Sequence, residues 1–191
     1  MKIGLLRHGR TDWNNAGRLQ GRSDIPISQA ERENLSTLCL PPSWQGVDVL
    51  SSPLSRARET AEIIAGRAIR TDASLIELHL GAWEGKRGID LLADPDSGFR
   101  HVEAWGWDGG PPGGETPRAL LARIEPALKA LRDDTLIVSH INIMRVLLAK
   151  AYDWNFDGPM PFKIKRNRFY VLHRDGDTWR PEADPVRLIP R

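Results

Sequence analysis

The sequence has little of several features, and each shortage excludes a class of protein. Cys39 is the one cysteine among 191 residues, so no disulfide can form within the chain. A chain of this kind is typical of a reducing compartment. No stretch approaches the roughly 18 consecutive apolar residues that a membrane-spanning helix needs, and no apolar leader follows Met1-Lys2. We therefore expect a cytoplasmic protein with no membrane partner.

An excess of one charge is also missing. The 27 Lys and Arg residues are nearly balanced by 25 Asp and Glu residues, which gives a formal net charge of +2. Because nucleic-acid binding depends on clustered positive charge, and the basic residues are dispersed, we expect no nucleic-acid partner. The chain has no internal repeats, and its length suits one domain with a sizeable core.

The apolar residues that are present fall into alternating patterns. Short apolar runs at 3–6, 47–51 and 135–139 predict buried β-strands. A capping box predicts a helix from Ser28 to about Cys39, and Ser52-Pro53 predicts the start of another. Strands that alternate with helices predict an α/β fold in which helices cover both faces of a parallel-rich sheet.

One segment breaks this alternation. After Gly85 the apolar residues show neither helical nor strand periodicity, and this segment ends in a Gly/Pro-rich stretch that reaches Gly114. We interpret about 86–113 as a partly helical lid insertion within a single domain spanning 1–191. The shape of this lid, and with it the specificity of any site beneath it, cannot be derived from the sequence.

Three of the predicted strands end in polar residues suited to anion binding. Arg7-His8 follows the first strand, Arg56 lies shortly after the second, and His140 follows the third. The carboxyl ends of parallel strands lie on one side of a sheet, where ligands bind. Two Arg and two His residues packed together repel one another without an anion, so this arrangement predicts a phosphate-like ligand.

Motifs around these residues carry a family resemblance. They are Arg7-His8-Gly9 with Thr11 and Trp13-Asn14, Ser52-Pro53-Leu54 with Arg56-Ala57 and Thr60-Ala61, Glu77 with Gly81-Ala82-Trp83-Glu84-Gly85, Gly114-Glu115-Thr116, and Ser139-His140. In this order they resemble the histidine phosphatase superfamily, in its phosphoglycerate-mutase-like branch. The stretch 111–116 is similar to that of α-ribazole-phosphate phosphatases. The resemblance implies a three-layer sandwich with a mostly parallel central sheet and one antiparallel edge strand.

The resemblance also implies a role for each residue at the strand ends. His8 would be the nucleophile that forms a phosphohistidine, and its other ring nitrogen should donate to a backbone carbonyl. Arg7, Arg56 and His140 would hold the phosphoryl oxygens. Glu77 would protonate the leaving oxygen and later take a proton from water, which requires a raised pKa.

Further residues match substrate-contacting positions of the family. Asn14 corresponds to a phosphate contact, Gln20 and Gly21 to a substrate-contacting loop, and Asn142 to an Asn that follows the second His in mutases. Cationic side chains take the place of a metal ion, so we expect neither a metal nor a cofactor. Glu84 is the competing acid, but its position beside a Trp suggests a structural role.

The sequence departs from the family pattern at two positions. Arg10 stands where many relatives carry an acid or Gln, and it either adds positive charge at the pocket rim or points to solvent. Ile141 follows His140 where relatives usually have Gly. Because a β-branched residue disfavours positive φ, we expect the loop after His140 to differ and to narrow the pocket.

The preferred interpretation is a metal-independent phosphomonoesterase that acts on a small phosphorylated metabolite. Only about 30 residues separate Glu84 from Glu115, whereas dedicated mutases of this superfamily have a longer insertion over the site. One alternative is a cofactor-dependent phosphoglycerate mutase. A second is a phosphate-binding module that has lost catalysis, with Ile141 as the lesion. The sequence leaves a homodimer open and does not name the substrate.

Overall fold

The computed structural model describes all residues 1–191 as an α/β protein. The helices are α1 (Asp12–Asn15), α2 (Gln29–Ser36), α3 (Ser55–Ala65), α4 (Gly88–Ala93), α5 (Pro117–Ala130) and α6 (Ile141–Tyr152). The strands are β1 (Lys2–Arg7), β2 (Leu38–Cys39), β3 (Asp48–Ser51), β4 (Arg70–Thr71), β5 (Thr135–Ser139), β6 (Arg168–Asp175), β7 (Thr178–Pro181), β8 (Val186–Arg187) and β9 (Ile189–Pro190).

Seven strands form the central sheet in the order β4-β3-β5-β1-β6-β7, with β8 paired to β6. The pairs β4-β3, β3-β5 and β5-β1 are parallel, whereas β6 runs antiparallel to β1, β7 and β8. Leu6 of β1 and Ser51 of β3 both pair with Val138 of β5, so these three strands end at the same level. This arrangement confirms the predicted mostly parallel sheet with an antiparallel edge.

Helices cover both faces of the sheet. On one face, α5 and α6 contribute Leu120, Ile124 and Ile143 to a core that includes Ile3 and Leu5 of β1. On the other face, α2 and α3 pack with the intervening residues of the strands in a second core. Because successive strand residues point to opposite faces, both faces of the central strands are apolar, as the uninterrupted apolar runs predicted.

Two helix boundaries differ from the sequence prediction. The helix predicted to reach Cys39 ends at Ser36, because the next residues form β2 and pair with β9 at the chain's other end. The helix predicted to begin at Ser52-Pro53 begins at Ser55. Ser52 lies before this helix, where its hydroxyl contacts the ring of His140 and accepts from the Leu54 N–H, while Oδ1 of Asp24 accepts from the N–H of Ser55, the first helical residue.

The segment 86–113 contains α4 and a 3-10 turn at Pro95–Ser97, and is otherwise irregular. Val102 of this segment is buried in the core beside α5 and α6, and Trp105 packs against the same core. The longest helix has 14 residues, and no helix combines the length and apolar character that crossing a membrane requires.

Candidate active site

A cavity of about 280 Å³ opens where β1, β3 and β5 end. It brings together eight of the nine residues that the sequence predicted for the site: Arg7, His8, Asn14, Gln20, Gly21, Arg56, Glu77 and Asn142. The ninth, His140, is fully buried beside the cavity, and its ring centroid lies 5.3 Å from that of His8. The structure therefore gathers these residues from segments that are far apart in the sequence.

His8 follows β1 and is held by its backbone and its ring. Its N–H donates to the carbonyl of Ser139 at 2.9 Å, and its Nδ1 lies 2.6 Å from the carbonyl oxygen of Gly9. Because a carbonyl oxygen only accepts, this contact places the ring proton on Nδ1 and leaves Nε2 with a free lone pair. Burial, followed by the charges of Arg7 and Arg56, lowers the pKa of His8 well below its usual range.

Gly9 lets helix α2 approach this histidine. A Cβ at Gly9 would lie 2.8 Å from Cγ of Glu31 and 2.9 Å from Cδ1 of Leu35. The Gly9 N–H donates to Oγ1 of Thr60 at 2.9 Å, and that hydroxyl donates to the carbonyl of Arg56 at 2.6 Å. The glycine in Arg-His-Gly therefore links the end of β1 to α3.

Arg7 and Arg56 are cations beside His8, the first half-buried and the second fully buried. Arg56 donates from Nη1 to the Ser23 carbonyl at 2.6 Å and from Nη2 to the Gly21 carbonyl at 2.7 Å. Nε of each arginine is shielded from solvent and has no partner in the protein. Burial, followed by the neighbouring arginines Arg166 and Arg145, lowers the pKa of Arg7 to about 9. Arg7 therefore remains charged at neutral pH.

Glu77 lies on the same cavity and is 5% exposed. Its Oε1 accepts from the N–H of Leu78 at 2.8 Å. Burial raises the pKa of Glu77 above its usual value, whereas hydrogen bonds from backbone N–H groups and the charges of Arg56 and Arg7 oppose the rise. A carboxyl group in this environment can hold a proton and release it, which is what an acid-base role requires.

His140 contacts a serine hydroxyl from the neighbouring strand end. Its Nε2 lies 2.7 Å from Oγ of Ser52, and this oxygen accepts from the Leu54 N–H at 3.3 Å. The other ring nitrogen, Nδ1, is buried and has no partner in the protein. Burial, followed by the charges of Arg56 and His8, lowers the pKa of His140 well below its usual range.

The four remaining predicted residues form the sides of the cavity. Oδ1 of Asn14 accepts from its own capping turn at Thr11 and from Nη2 of Arg166 at 2.8 Å. Gln20 is 8% exposed, and its side-chain oxygen has no partner. Gly21 has a φ of +52°, and Asn142 accepts from Nη1 of Arg145 at 2.9 Å.

The structure shows where Arg10 and Ile141, which depart from the family pattern, and the competing acid Glu84 lie. Arg10 is exposed and does not line the cavity. Ile141 does line it, and α6 begins at Ile141 without a positive φ, so no separate loop follows His140. Oε1 of Glu84 accepts from both the N–H and the hydroxyl of Ser23, at 2.6 and 2.7 Å. These contacts give Glu84 a structural partner, which supports Glu77 as the candidate acid.

Sequence reasoning missed four arginines in this region: Arg18, Arg100 and Arg145, which line the cavity, and Arg166, which lies beside it. Arg166 reaches Asn14 and the carbonyl of His8 from a distant loop. Residues three and four apart share one face of a helix, so Arg145 could have been found from its spacing to Ile141 and Asn142. No sequence signal points to Arg166, because only the tertiary fold brings its loop to β1.

Comparison with known proteins identifies the family. The model of the histidine phosphatase superfamily (branch 1) matches residues 3–183. The chain therefore belongs to this superfamily, whose enzymes act on phosphate groups. No group of three or more His, Cys, Asp or Glu side chains is placed to hold a metal ion.

The individual relatives include both phosphoglycerate mutases and a phosphatase. A probable phosphoglycerate mutase, GpmB, of Escherichia coli K12 is 37% identical over 150 residues, which are 73% of this chain and 69% of the relative. The crystal structure of a phosphoglycerate mutase from Thermus thermophilus is 30% identical, covers 100% of both chains and has a TM-score of 0.73. A mycobacterial glucosyl-3-phosphoglycerate phosphatase in complex with VO3 is 26% identical, covers 97% of this chain and 99% of its own, and has a TM-score of 0.77.

Proposed function

We propose that the protein is a phosphomonoesterase that hydrolyses small phosphate esters, without a metal ion, through a phosphohistidine on His8. One observation carries the proposal. Three buried nitrogens near the ends of three neighbouring strands, Arg7 Nε, Arg56 Nε and His140 Nδ1, have no partner within the protein; with the Ser52 hydroxyl donating to Nε2 of His140, the ring proton is on Nδ1 and all three nitrogens are donors. Since buried polar groups are almost always hydrogen-bonded, these donors suit the oxygens of a phosphoryl group beside His8.

The proposed reaction has two steps. Nε2 of His8 forms a bond to phosphorus while the bond to the ester oxygen breaks, and Glu77 gives its proton to that oxygen. A water molecule then attacks the phosphohistidine, Glu77 takes a proton from the water, and His8 and inorganic phosphate are released. In both steps Arg7, Arg56 and His140 stabilise the charge on the phosphoryl oxygens.

Hydrolysis and mutase activity share the phosphohistidine step. They differ in whether the phosphoryl group passes to water or returns to a phosphoglycerate. The short segment between Glu84 and Glu115 supports hydrolysis, because little chain is available to exclude water. The mutase remains the second candidate, since relatives at 37% and 30% identity bear that name.

A panel of phosphate esters tests the proposal in the wild-type protein and the His8→Ala variant, with and without a chelator. We expect phosphate release that survives the chelator and is lost in His8→Ala. Activity that persists in this variant, or that disappears with the chelator, would overturn the mechanism. Rapid interconversion of phosphoglycerates that depends on 2,3-bisphosphoglycerate, without phosphate release, would favour the mutase. Binding of phosphate without turnover of any ester would favour a non-catalytic module.

A further inference from the structure

The candidate acid lies on a segment without regular secondary structure. A 3-10 turn ends at Leu75, and residues 76–80 belong to no helix or strand. Strand register therefore does not fix the backbone of Glu77, whereas it does fix that of Arg7 in β1. A group that transfers a proton must hold its position closely, because a displacement of about 1 Å can cost roughly 10²-fold in rate. Contacts of another kind must therefore hold the backbone of Glu77.

Arg123 of α5 supplies several of these contacts. It donates from Nη1 to the carbonyl of Ser74, and from Nη2 to the carbonyls of Ile76 at 3.0 Å and Glu77 at 3.4 Å. Arg22 adds one contact, from Nε to the Glu77 carbonyl at 3.4 Å. The Arg123 side chain is 21% exposed and that of Arg22 is 39% exposed. Arg123 is thus the more enclosed of the two arginines that contact the Glu77 backbone.

Glu115 holds the guanidinium of Arg123 in place. Its Oε1 accepts from Nε of Arg123 at 2.8 Å and its Oε2 from Nη2 at 2.9 Å, so the two planar groups share two hydrogen bonds. Burial opposes the ionisation of Glu115, but the hydrogen bond and the charge of Arg123 outweigh it and lower the pKa of Glu115. Glu115 is therefore ionised at neutral pH and fixes the direction of the arginine.

The same glutamate contacts the chain on the far side of Glu77. Its Oε2 accepts from the N–H of His79 at 3.3 Å, and its own N–H donates to the His79 carbonyl at 2.9 Å. Gly114 permits this approach, because a Cβ there would lie 2.5 Å from the same carbonyl oxygen. The Gly114-Glu115-Thr116 motif, which makes no contact with the cavity other than through its neighbours, therefore has a place in the site.

We propose that Arg123, held by Glu115, is a positioning residue for the proton transfers of Glu77. This inference rests on the proposed phosphatase function and extends it to a pair of residues outside the cavity lining. Loss of Arg123 frees the carbonyls around Glu77 and displaces its carboxyl group, while the phosphoryl contacts remain. Esters whose leaving oxygen needs a proton should therefore react more slowly, and esters with a stable leaving anion should not.

A matched pair of esters tests the inference. p-Nitrophenyl phosphate has an aryl leaving group that is stable as an anion, whereas p-nitrobenzyl phosphate has a similar shape and an alkyl leaving group that needs a proton. We measure kcat/KM by phosphate release and form the alkyl-to-aryl ratio for each protein. In Arg123→Gln we expect this ratio to fall by about 10–10²-fold. In Glu77→Gln it should fall by at least as much, because the proton itself is missing.

Two control variants separate positioning from other effects of the arginine. Arg132 is exposed just beyond α5, and its Nη1 donates only to the carbonyls of Lys129 and Leu131, so Arg132→Gln should keep the wild-type ratio. Arg123 also adds positive charge near His140. Arg123→Lys keeps that charge but loses the planar fork, so its ratio should fall as well. Each ratio is internal to one protein sample, so partial unfolding of a variant does not change it.

Two further variants test whether Arg123 acts through Glu77. The double variant Arg123→Gln/Glu77→Gln should be less active on p-nitrobenzyl phosphate than Glu77→Gln alone by no more than about threefold, because an acid that is already removed cannot also be misplaced. Glu115→Gln keeps the shape of the pair and removes its charge, so the ratio should fall by less than in Arg123→Gln. This variant changes the same contacts from the other partner, and it tests the inference even where Arg123→Gln does not fold.

The outcomes separate the inference from the function beneath it. A wild-type ratio in Arg123→Gln and Glu115→Gln would overturn the positioning role, and a wild-type ratio in Arg123→Lys would assign the effect to charge near His140 instead. A double variant whose loss equals the product of the two single losses would also overturn it. Failure of the wild-type protein to release phosphate from either ester would refute the proposed function, and an unchanged ratio in Glu77→Gln would refute the acid role within that function.

Discussion

The two ends of the cavity are built in different ways. The inner end is largely buried. Arg7, His8 and His140 lie at the ends of paired strands whose register fixes them, whereas Arg56 lies in the first turn of α3 and Glu77 follows a 3-10 turn. The outer end comes from irregular segments and from α6, and it mixes exposed residues such as Arg100 and His101 with the confined Arg145. Rigid elements suit groups that must meet a phosphorus atom, whereas loops suit the recognition of a variable leaving group.

This contrast predicts how variants behave. Changes at the inner end should lower turnover of every ester, because all esters share the phosphoryl group. Changes at the outer end should alter the order of preference among esters. The following experiments test that division, beginning with the largest expected effect.

Arg7→Gln should reduce kcat/KM by about 10²–10³-fold on all esters alike, because it removes a preorganised charge from the phosphoryl group. Phosphate release from an alkyl and an aryl ester measures this. Arg10→Gln is the matched control, since Arg10 is three residues away and exposed outside the cavity, and it should stay within about twofold. A loss confined to one ester in Arg7→Gln would contradict the division.

Glu77→Gln should have an effect that depends on the leaving group. Alkyl esters leave poorly without a proton, so we expect a loss of about 10²–10⁴-fold for them. An aryl ester such as p-nitrophenyl phosphate should be affected far less. Glu84→Gln serves as the control for the competing acid and should affect both esters to the same degree. A uniform loss in Glu77→Gln would show that Glu77 is not the acid.

The pH profile on alkyl esters should be bell-shaped. Activity requires neutral His8, whose pKa is lowered by burial and nearby arginines, so it should fall only when acidic conditions protonate the ring. Activity also requires protonated Glu77, whose pKa is raised by burial, so it should fall as pH rises through that value. Measured with p-nitrophenyl phosphate, the decline at high pH should be weaker and should vanish in Glu77→Gln. If the decline of activity at high pH persists in Glu77→Gln, a group other than Glu77 causes it.

Ser52→Ala should produce the smallest effect, a loss of roughly tenfold in kcat on every ester. The hydroxyl of Ser52 is hydrogen-bonded to Nε2 of His140. This contact favours the ring proton on Nδ1, and Nδ1 has no partner in the protein. Ser51→Ala is the control, because that hydroxyl contacts only backbone carbonyls. The ring signals of His140 in an NMR spectrum should shift in Ser52→Ala and not in Ser51→Ala. An unchanged tautomer would contradict this positioning role.

The sequence predicted the inner end of the cavity well for a physical reason. A strand that is buried on both faces has a continuous run of apolar residues in the sequence, and the first polar residues after that run mark the edge of the sheet. Arg7-His8 and His140 stand out in this way, and parallel pairing makes their convergence a geometric consequence. The same reasoning located the helices that cover the sheet, with errors of a few residues where Ser52 and Cys39 form tertiary contacts instead.

The outer end could not be predicted in the same way. Its residues lie in segments without periodicity, so the sequence does not indicate which side chains face inward. Arg166 reaches Asn14 across 152 residues, and no local pattern encodes such a contact. The start of α6 directly after His140 was not evident from the sequence either, and in this helical conformation the β-branched Ile141 has no positive φ and no strain from one.

The position of β1 within the sheet has a consequence for synthesis on the ribosome. β1 precedes β5 and β6 in the chain, yet it lies between them in the sheet, and Ile3 pairs with Thr135 and Leu172. The apolar strand that precedes the candidate nucleophile therefore has no partner in this sheet until β5 and β6 have been synthesised. Such long-range pairing slows folding and exposes the strand to mispairing. Chains released before β5 is made should therefore lack part of the cavity. They should also lack the neighbouring strand that fixes the position of His8.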